Sequence, residues 1–381
     1  MNVRVTKKPI TQQDCEDLGI ESPREWIESL SPWPADGFGL ERIHALLAEL
    51  GEPQRRYRSI HVVGSNGKST VAWTAAAVLR RERLRVGTYT SPHVSGWEER
   101  IQVDGEDADF DAALSRVREP AERLGATQFE ILTAAALAEF AAAGVDVAVV
   151  EAGLGGRYDA TNVIDAPVVV LTNVSLEHTD VLGSSREQIA REKLAVVRPG
   201  ATVVLGEPEW EHAARASGAA EVVLTGRANA ALALAAAEAL LGRELDPLDD
   251  VRPPGRLERR AEAPLEIWDS ANNLGGVGYL LGRLPSREYV LVVSILRDKD
   301  AEAMLAALGA LGDVFVATTS SNARARSPDE LARLARPFFA RVEALGDPRE
   351  ALRRARELAG RDGAVLATGS HYMLADLSSA R

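Results

Sequence analysis

The chain has 381 residues, 46% hydrophobic and 26% charged, which is the balance of an ordinary globular protein and excludes disorder and fibrous repeats. Its 56 Asp and Glu outnumber 44 Lys and Arg, for a formal net charge of -12. That surface does not suit a phosphate backbone, so nucleic acid is not an expected partner.

Cys15 is the single cysteine and cannot form an intramolecular disulfide, and the first residues lead into no apolar stretch of signal-peptide type. The most apolar runs, 131–143 and 228–241, contain Glu139 and Glu238 and fall short of the ~20 apolar residues of a membrane span. A cytoplasmic protein without a transmembrane helix is expected. At roughly 100–200 residues per domain, the length predicts two or three domains.

Short β-branched runs alternate with longer Ala-rich stretches, the pattern of an α/β protein with a largely parallel sheet. The apolar runs predict strands over 58–63, 86–89, 145–150, 167–171 and 202–205. Helices are predicted over 68–81, 110–124, 129–143, 185–196 and 228–241. The segment from Asp246 to Gly255, with three prolines and three aspartates before its glycine, reads as a linker. Domains are therefore expected over 1–250 and 251–381. In the second, strands are predicted over 265–268, 289–293, 314–317 and 364–367, and helices over 301–311, 328–336, 348–359 and 371–377. No tandem repeat is visible.

The sharpest local signal is Ile60-His-Val-Val-Gly64-Ser65-Asn66-Gly67-Lys68-Ser69-Thr70, a buried-type strand entering a glycine loop and then a helix. Such a loop aims successive backbone N–H groups at a phosphate, and the helix N-terminus adds its positive end. Lys68 would reach the terminal phosphates, and Ser69 or Thr70 would offer a hydroxyl to magnesium. Val62 stands where the general pattern has its first glycine, so the match is to a shortened variant. A glycine-rich turn capping a helix is the plainer alternative. Glu151 ends an apolar strand before Gly153, Gly155 and Gly156, the place where α/β proteins hold ligands, though a tight structural turn gives the same pattern. On local sequence alone, Lys193 reads as an exposed helix lysine and His178 as a surface histidine. The run Arg80-Arg81-Glu82-Arg83-Leu84-Arg85 reads as a solvated helix end.

Together with the loop, an ordered set of motifs resembles the folylpolyglutamate synthase and dihydrofolate synthase family, a branch of the Mur-type ATP-dependent amide ligases. The set begins with Gly39-Leu-Glu-Arg-Ile43, Thr90-Ser91-Pro92-His93 and the run from Glu151 through Arg157 and Asp159 to Asn162. It continues with Thr172-Asn173, Glu177-His178-Thr-Asp180, Glu192-Lys193, Pro254-Gly255-Arg256, Asp269-Ser270-Ala271-Asn272-Asn273, Asp298-Lys299-Asp300 and Gly369-Ser370.

The resemblance implies a three-layered phosphate-loop ATPase domain with a mostly parallel sheet, then a smaller Rossmann-like domain, with ATP in the cleft between them. It implies a ligase that activates a carboxylate as an acyl phosphate and joins it to L-glutamate, the acceptor being dihydropteroate or a reduced folate. By resemblance, Gly64 to Thr70, Arg256, Asp269 and Asn272 bind the nucleotide, and Ser69, Thr70, Ser91, Glu151 and His178 hold two magnesium ions. Lys68, Lys193, His178 and Arg256 are the implied catalytic residues, with Lys193 a candidate for carbamylation. A monomer acting on small molecules alone is expected.

Departures are Asn272 where the family has His, Ser69 where it has Gly, Glu177 where it has Asp, and a shortened stretch between Leu205 and Gly226, where the family has a longer excursion ending in a His-Gln-x-x-Asn motif of which only Asn229 remains. Two other readings stay open: a Mur-like ligase joining a different acid and amine, and an ATP-binding protein without turnover.

Overall fold

Residues 22–32, 34, 37–249 and 251–379 are described by the computed structural model, so Cys15 and the first residues lie outside the described part. The chain forms two units, one running to Ser91 and resuming over Trp97–Val251, the other made of Pro92–Gly96 and the chain from Arg252 onward.

In the first unit, helices α1 (Pro23–Ser29) and α2 (Glu41–Glu49) precede β1 (Arg58–Val63), α3 (Lys68–Arg81), β2 (Val86–Tyr89) and the hairpin β3 (Ile101–Val103) and β4 (Glu106–Asp107). Then come α4 (Phe110–Leu124), α5 (Gln128–Ala143), β5 (Val147–Glu151), β6 (Val168–Leu171), α6 (Thr179–Leu182) and α7 (Arg186–Leu194). The unit closes with β7 (Thr202–Leu205), α8 (Glu211–Ala216), β8 (Glu221–Leu224) and α9 (Asn229–Leu241).

The eight strands lie in the order β4-β3-β2-β5-β1-β6-β7-β8, parallel except for the antiparallel pairs β2–β3 and β3–β4. β1 is central, with Ile60 opposite both Val149 and Val168. A strand covered on both faces is largely apolar, which is why β6 and the bodies of β1 and β5 are Val, Ile, Leu and Ala runs interrupted only by His61, with Glu151 at the end of β5. One face is covered by α3 and α9, whose Ala72, Ala75, Ala233 and Ala236 pack among Val62, Val149 and Val170. The other carries Leu114, Ile131, Leu137 and Phe140 against Tyr89, Val150 and Leu171. Each fully buried Val, Leu, Ile or Phe contributes about 1.5–3 kcal/mol. Helix ends follow local chemistry: Thr127 and Glu130 form a reciprocal cap at the start of α5, and Gly144 ends it in the left-handed conformation.

The second unit contains β9 (Glu258–Glu262), β10 (Leu265–Trp268), α10 (Leu274–Leu281), β11 (Val290–Val293), α11 (Ala301–Leu308) and β12 (Val314–Ala317). α12 (Pro328–Ala335), β13 (Arg341–Ala344), α13 (Pro348–Ala359), β14 (Ala364–Thr368) and α14 (His371–Ser378) complete it. Its sheet runs β13-β12-β11-β14-β10-β9, parallel except at β9–β10. Val94, from the inserted Pro92–Gly96, is buried in its core with Trp268, Met373 and Leu374.

The predicted strands and helices all form, with ends shifted by a few residues. α7 stops at Leu194, and α11 at Leu308, where a single 3-10 turn carries on to Leu311. The arginine run is engaged with its own unit. Arg80 donates to the carbonyl of Asp104, Arg81 to those of Asp246 and Pro247, and Arg85 lies 3.6 Å from Asp104. Arg81, Arg83 and Arg85 are exposed, so the run is the solvated helix end expected from the sequence, with these contacts made at the surface.

Candidate active site

β1 ends at Val63 and the chain turns through Gly64-Ser65-Asn66-Gly67 into α3. Gly64 and Gly67 have φ of +145° and +84°, and a Cβ would fall 1.9 Å from Thr172 Oγ1 at the first and 2.6 Å from Asn229 Oδ1 at the second. Side chains are therefore excluded at both positions. The turn after β6 braces the loop from the side. Ser65 N–H donates to the Asn173 carbonyl at 2.9 Å and Asn66 N–H to Asn173 Oδ1 at 3.0 Å. Thr172 Oγ1 and Asn173 Nδ2 donate to the Asn66 carbonyl at 2.8 and 2.9 Å, and Ser175 N–H to Ser65 Oγ at 3.0 Å. With Ser65 and Asn66 tied down, the first turn of α3 presents N–H groups that have no partner within the helix, the arrangement that receives an anion. Lys68 Nζ reaches back over the loop to the Ser65 carbonyl at 3.4 Å.

Glu151, the last residue of β5, is 2% exposed. Ser69 Oγ donates to its Oε1 and the main-chain N–H of Ser91 to its Oε2, each at 3.1 Å. Three of the residues expected at a metal thus converge, Ser91 through its backbone. Thr70 is buried one residue further along α3. Among the described residues no three His, Cys, Asp or Glu side chains cluster as a ready-made cage. One carboxylate with hydroxyl oxygens beside a phosphate loop nevertheless fits magnesium, which takes few protein ligands and keeps waters and phosphate oxygens.

The glycine-rich turn after Glu151 is organised by Asp159, whose carboxylate accepts from the N–H of Leu154 at 2.7 Å and from the N–H and Oγ1 of Thr161 at 3.0 and 2.5 Å. Burial pushes this carboxyl above the usual range, against the pull of those hydrogen bonds. The same turn docks on α7, where Arg157 N–H donates to the Glu192 carbonyl at 3.0 Å and its Nε to Glu192 Oε1 at 2.9 Å.

Next along α7, Lys193 is 1% exposed, which corrects its reading as an exposed helix lysine. Its Nζ donates to the Gly64 carbonyl and to Glu177 Oε1, both at 2.9 Å. Burial lowers the Lys193 pKa, the Glu177 charge opposes that shift and the Lys68 charge adds to it. Burial alone would raise the Glu177 carboxyl, but Lys193, Lys68 and hydrogen bonds from Ser65 and Lys193 hold it at about 2. His178 adjoins Glu177 with φ 46°, at the start of α6.

In the second unit, Asp269 is 8% exposed and accepts from the N–H of Leu257 and of Ala271, both at 2.9 Å, which pins the turn carrying Arg256. Burial raises its carboxyl, and Arg256 is the first of the groups opposing that. Asn272 lies half-buried beside Asn273, which caps α10 through its bond from Gly276 N–H at 2.8 Å.

Thr172 and Asn173 as braces, Glu177 as the partner of Lys193, and Glu207 (below) were given no role by sequence reasoning. A Thr-Asn pair directly after an apolar strand was the available signal for the first two. Among the described residues no helix is long and apolar enough to cross a membrane.

Residues 62–244 match the Mur ligase middle domain and residues 255–371 the glutamate ligase domain of Mur ligases. The chain is 36% identical to the dihydrofolate synthase/folylpolyglutamate synthase of Mycobacterium tuberculosis, over 81% of this chain and 80% of that protein. It is 33% identical to the protein of that name from Escherichia coli, over 80% and 83%. Among solved structures, Mycobacterium tuberculosis folylpolyglutamate synthase complexed with ADP superposes with a TM-score of 0.85 at 31% identity, covering 94% of this chain and 98% of that one. Escherichia coli FolC in complex with DHPP and ADP gives 0.83 at 29% identity, covering 94% and 97%. The bifunctional enzyme with Mn, AMPPNP and L-glutamate bound gives 0.82 at 30% identity, covering 94% and 97%. With its phosphate loop, buried Glu151 and two doubly covered sheets in place, the chain belongs to the dihydrofolate synthase/folylpolyglutamate synthase family.

Proposed function

We propose that this protein is an ATP-dependent ligase that forms an amide between a pterin or folate carboxylate and L-glutamate through an acyl phosphate. The observation that carries the reading is the convergence of Ser69 and Ser91 on buried Glu151 beside a loop whose Ser65 and Asn66 are already held by Asn173. Bringing a carboxylate to ATP sets anion against anion, so the site needs preorganised donors and cations more than a covalent nucleophile. The loop N–H groups and Lys68 hold and orient the phosphates. Arg256, on the turn pinned by Asp269, is the proposed cation of the second unit, and Asn272 a nucleotide contact that donates and accepts hydrogen bonds without charge.

Ser69, Thr70, Ser91, Glu151 and His178 are the proposed residues around magnesium, which when bound supplies positive charge to the phosphate oxygens. Lys193 is the proposed carbamylation site. A carbamate there would carry negative charge toward Glu177, so that ion pair would have to open, and activity would depend on bicarbonate. The ATP-binding part is read as 1–250 and the ligase part as 251–381, the protein working as a cytoplasmic monomer on small molecules alone.

The test is ADP release from ATP and L-glutamate with dihydropteroate and tetrahydrofolate each added singly, and the product weighed for one added glutamyl unit. A glutamylated product is expected with at least one acceptor. ATP binding without product in either case would overturn the substrate assignment and leave a ligase of another acid, or a binding protein.

A further inference from the structure

Glu207 lies two residues beyond β7, in the shortened stretch of the chain, and is 4% exposed. A carboxylate taken out of water needs donors on both oxygens. Its Oε2 accepts from Val174 N–H at 3.0 Å, from the indole N–H of Trp210 at 2.7 Å and from Arg186 Nη2 at 3.3 Å. Its Oε1 meets Arg227 Nη2 at 2.9 Å. Arg186 lies 5.1 Å over the Trp210 ring and donates from Nε to the Val174 carbonyl at 3.0 Å. Val174 is thereby held at its N–H by Glu207 and at its carbonyl by Arg186.

The position of Val174 gives this grip its meaning. It stands between Asn173 and Ser175, the residues whose hydrogen bonds hold Ser65 and Asn66 in the phosphate loop. Arg227, on the other oxygen, is two residues before Asn229, whose side chain lies against Gly67. One buried carboxylate therefore links the chain segments that flank the loop on both sides, while none of its recorded partners is a residue proposed to meet ATP.

We propose that Glu207 is a positioning residue for the nucleotide, fixing the phosphate loop through Val174 on one side and Arg227 on the other. The inference rests on the reading of that loop as the ATP site. Without Glu207 the Val174 N–H loses a buried acceptor, Arg227 loses its carboxylate and Arg186 is left with Glu209, at 2.6 Å, and the Val174 carbonyl, so the brace loosens. The loss falls on phosphate binding in ground and transition states alike, which raises KM for ATP and leaves kcat little changed.

The experiment uses the full-length protein, with titration of a fluorescent ADP analogue, steady-state kinetics against ATP and thermal melting. The variants are Glu207→Gln, Arg227→Ala, Lys68→Ala and, as a control, Glu266→Gln. Glu266 is a carboxylate of the second unit, 1% exposed and paired with Arg356 at 2.6 Å. Glu207→Gln is expected to raise the nucleotide Kd and KM for ATP about tenfold, the scale on which residues supporting a binding shell act. Glu266→Gln is expected to lower the melting temperature with Kd unchanged, which separates positioning from general destabilisation. Arg227 is largely exposed, so its truncation spares the fold and should raise Kd to a smaller degree.

Wild-type Kd and KM in Glu207→Gln would overturn the proposal. Should that variant not fold, an unchanged Kd in Arg227→Ala would do so. If the wild type binds the nucleotide no better than Lys68→Ala, the assignment of the loop itself falls and the positioning role with it.

Discussion

Lys193 and Glu177 form an ion pair at 2.9 Å with almost no access to water, their side chains being 2% and 12% exposed. Breaking such a pair from one side leaves an uncompensated buried charge, at a cost of about 3–5 kcal/mol. Glu177→Gln is therefore expected to lower the melting temperature of the first unit by on the order of 10 °C in scanning calorimetry. A melting curve unchanged from wild type would mean that Lys193 is compensated by another group.

Lys68 lies over the phosphate loop with its amine directed at the Ser65 carbonyl. Replacement by Ala removes one preorganised cation, and kcat for ADP release should fall about 100–1000-fold. Turnover near the wild-type rate would contradict the placement of ATP phosphates on this loop.

Gly64→Ala puts a methyl group 1.9 Å from Thr172 Oγ1, on a backbone with φ of +145°. Thr172 cannot retreat without releasing the Asn66 carbonyl that its hydroxyl holds. Nucleotide binding should be lost while the far-ultraviolet circular dichroism stays that of an α/β protein. Adding Thr172→Ala should recover only part of the binding, since Thr172 N also lies 3.1 Å from the same point. Full binding by Gly64→Ala alone would show that the loop adapts.

His61 offers a test by pH. It is fully buried on β1, with Nε2 2.8 Å from Thr161 Oγ1. That hydroxyl gives its hydrogen to Asp159, so His61 donates through Nε2–H and is neutral, with Nδ1 bare. Burial, assisted by the charge of Arg198, lowers its pKa to about 3. Between 6.5 and about 3 the unfolded chain binds a proton that the folded chain does not, so stability is full above 6.5 and declines as the pH falls. The slope from this one group is about 1.4 kcal/mol per pH unit. His61→Gln, compared with wild type in urea unfolding from pH 7 to 4, should show a shallower decline; parallel curves would mean that His61 is charged in the native state.

The parts of the fold that can be read from one sequence are those where burial imposes a simple pattern. β1, β5 and β6 are covered on both faces and read as apolar runs. β8, β9 and β13 mix half-exposed and exposed residues and carry no such run, so they surface only in the paired sheet. The hairpin β3–β4 is too short to show a period. At the candidate site, the glycine loop and Glu151 sit on strand ends and announce themselves. Lys193 does not, because Arg191-Glu192-Lys193 looks like any solvated helix until Glu177, sixteen residues earlier, is seen to share its pocket. Glu207 is less visible still: its partners come from residues 174, 186, 210 and 227, and only the fold gathers them.

Val94 bears on how far this protein can be taken apart. Its side chain completes the core beside Trp268, Met373 and Leu374, although it is supplied from far upstream of Arg252. A fragment begun at Arg252 would emerge from the ribosome with a gap where those methyl groups belong, and grafting it onto a foreign ATPase would succeed only if residues 92–96 travelled with it. The second unit is thus not a detachable cassette, and recombination at the linker alone would cut through its core.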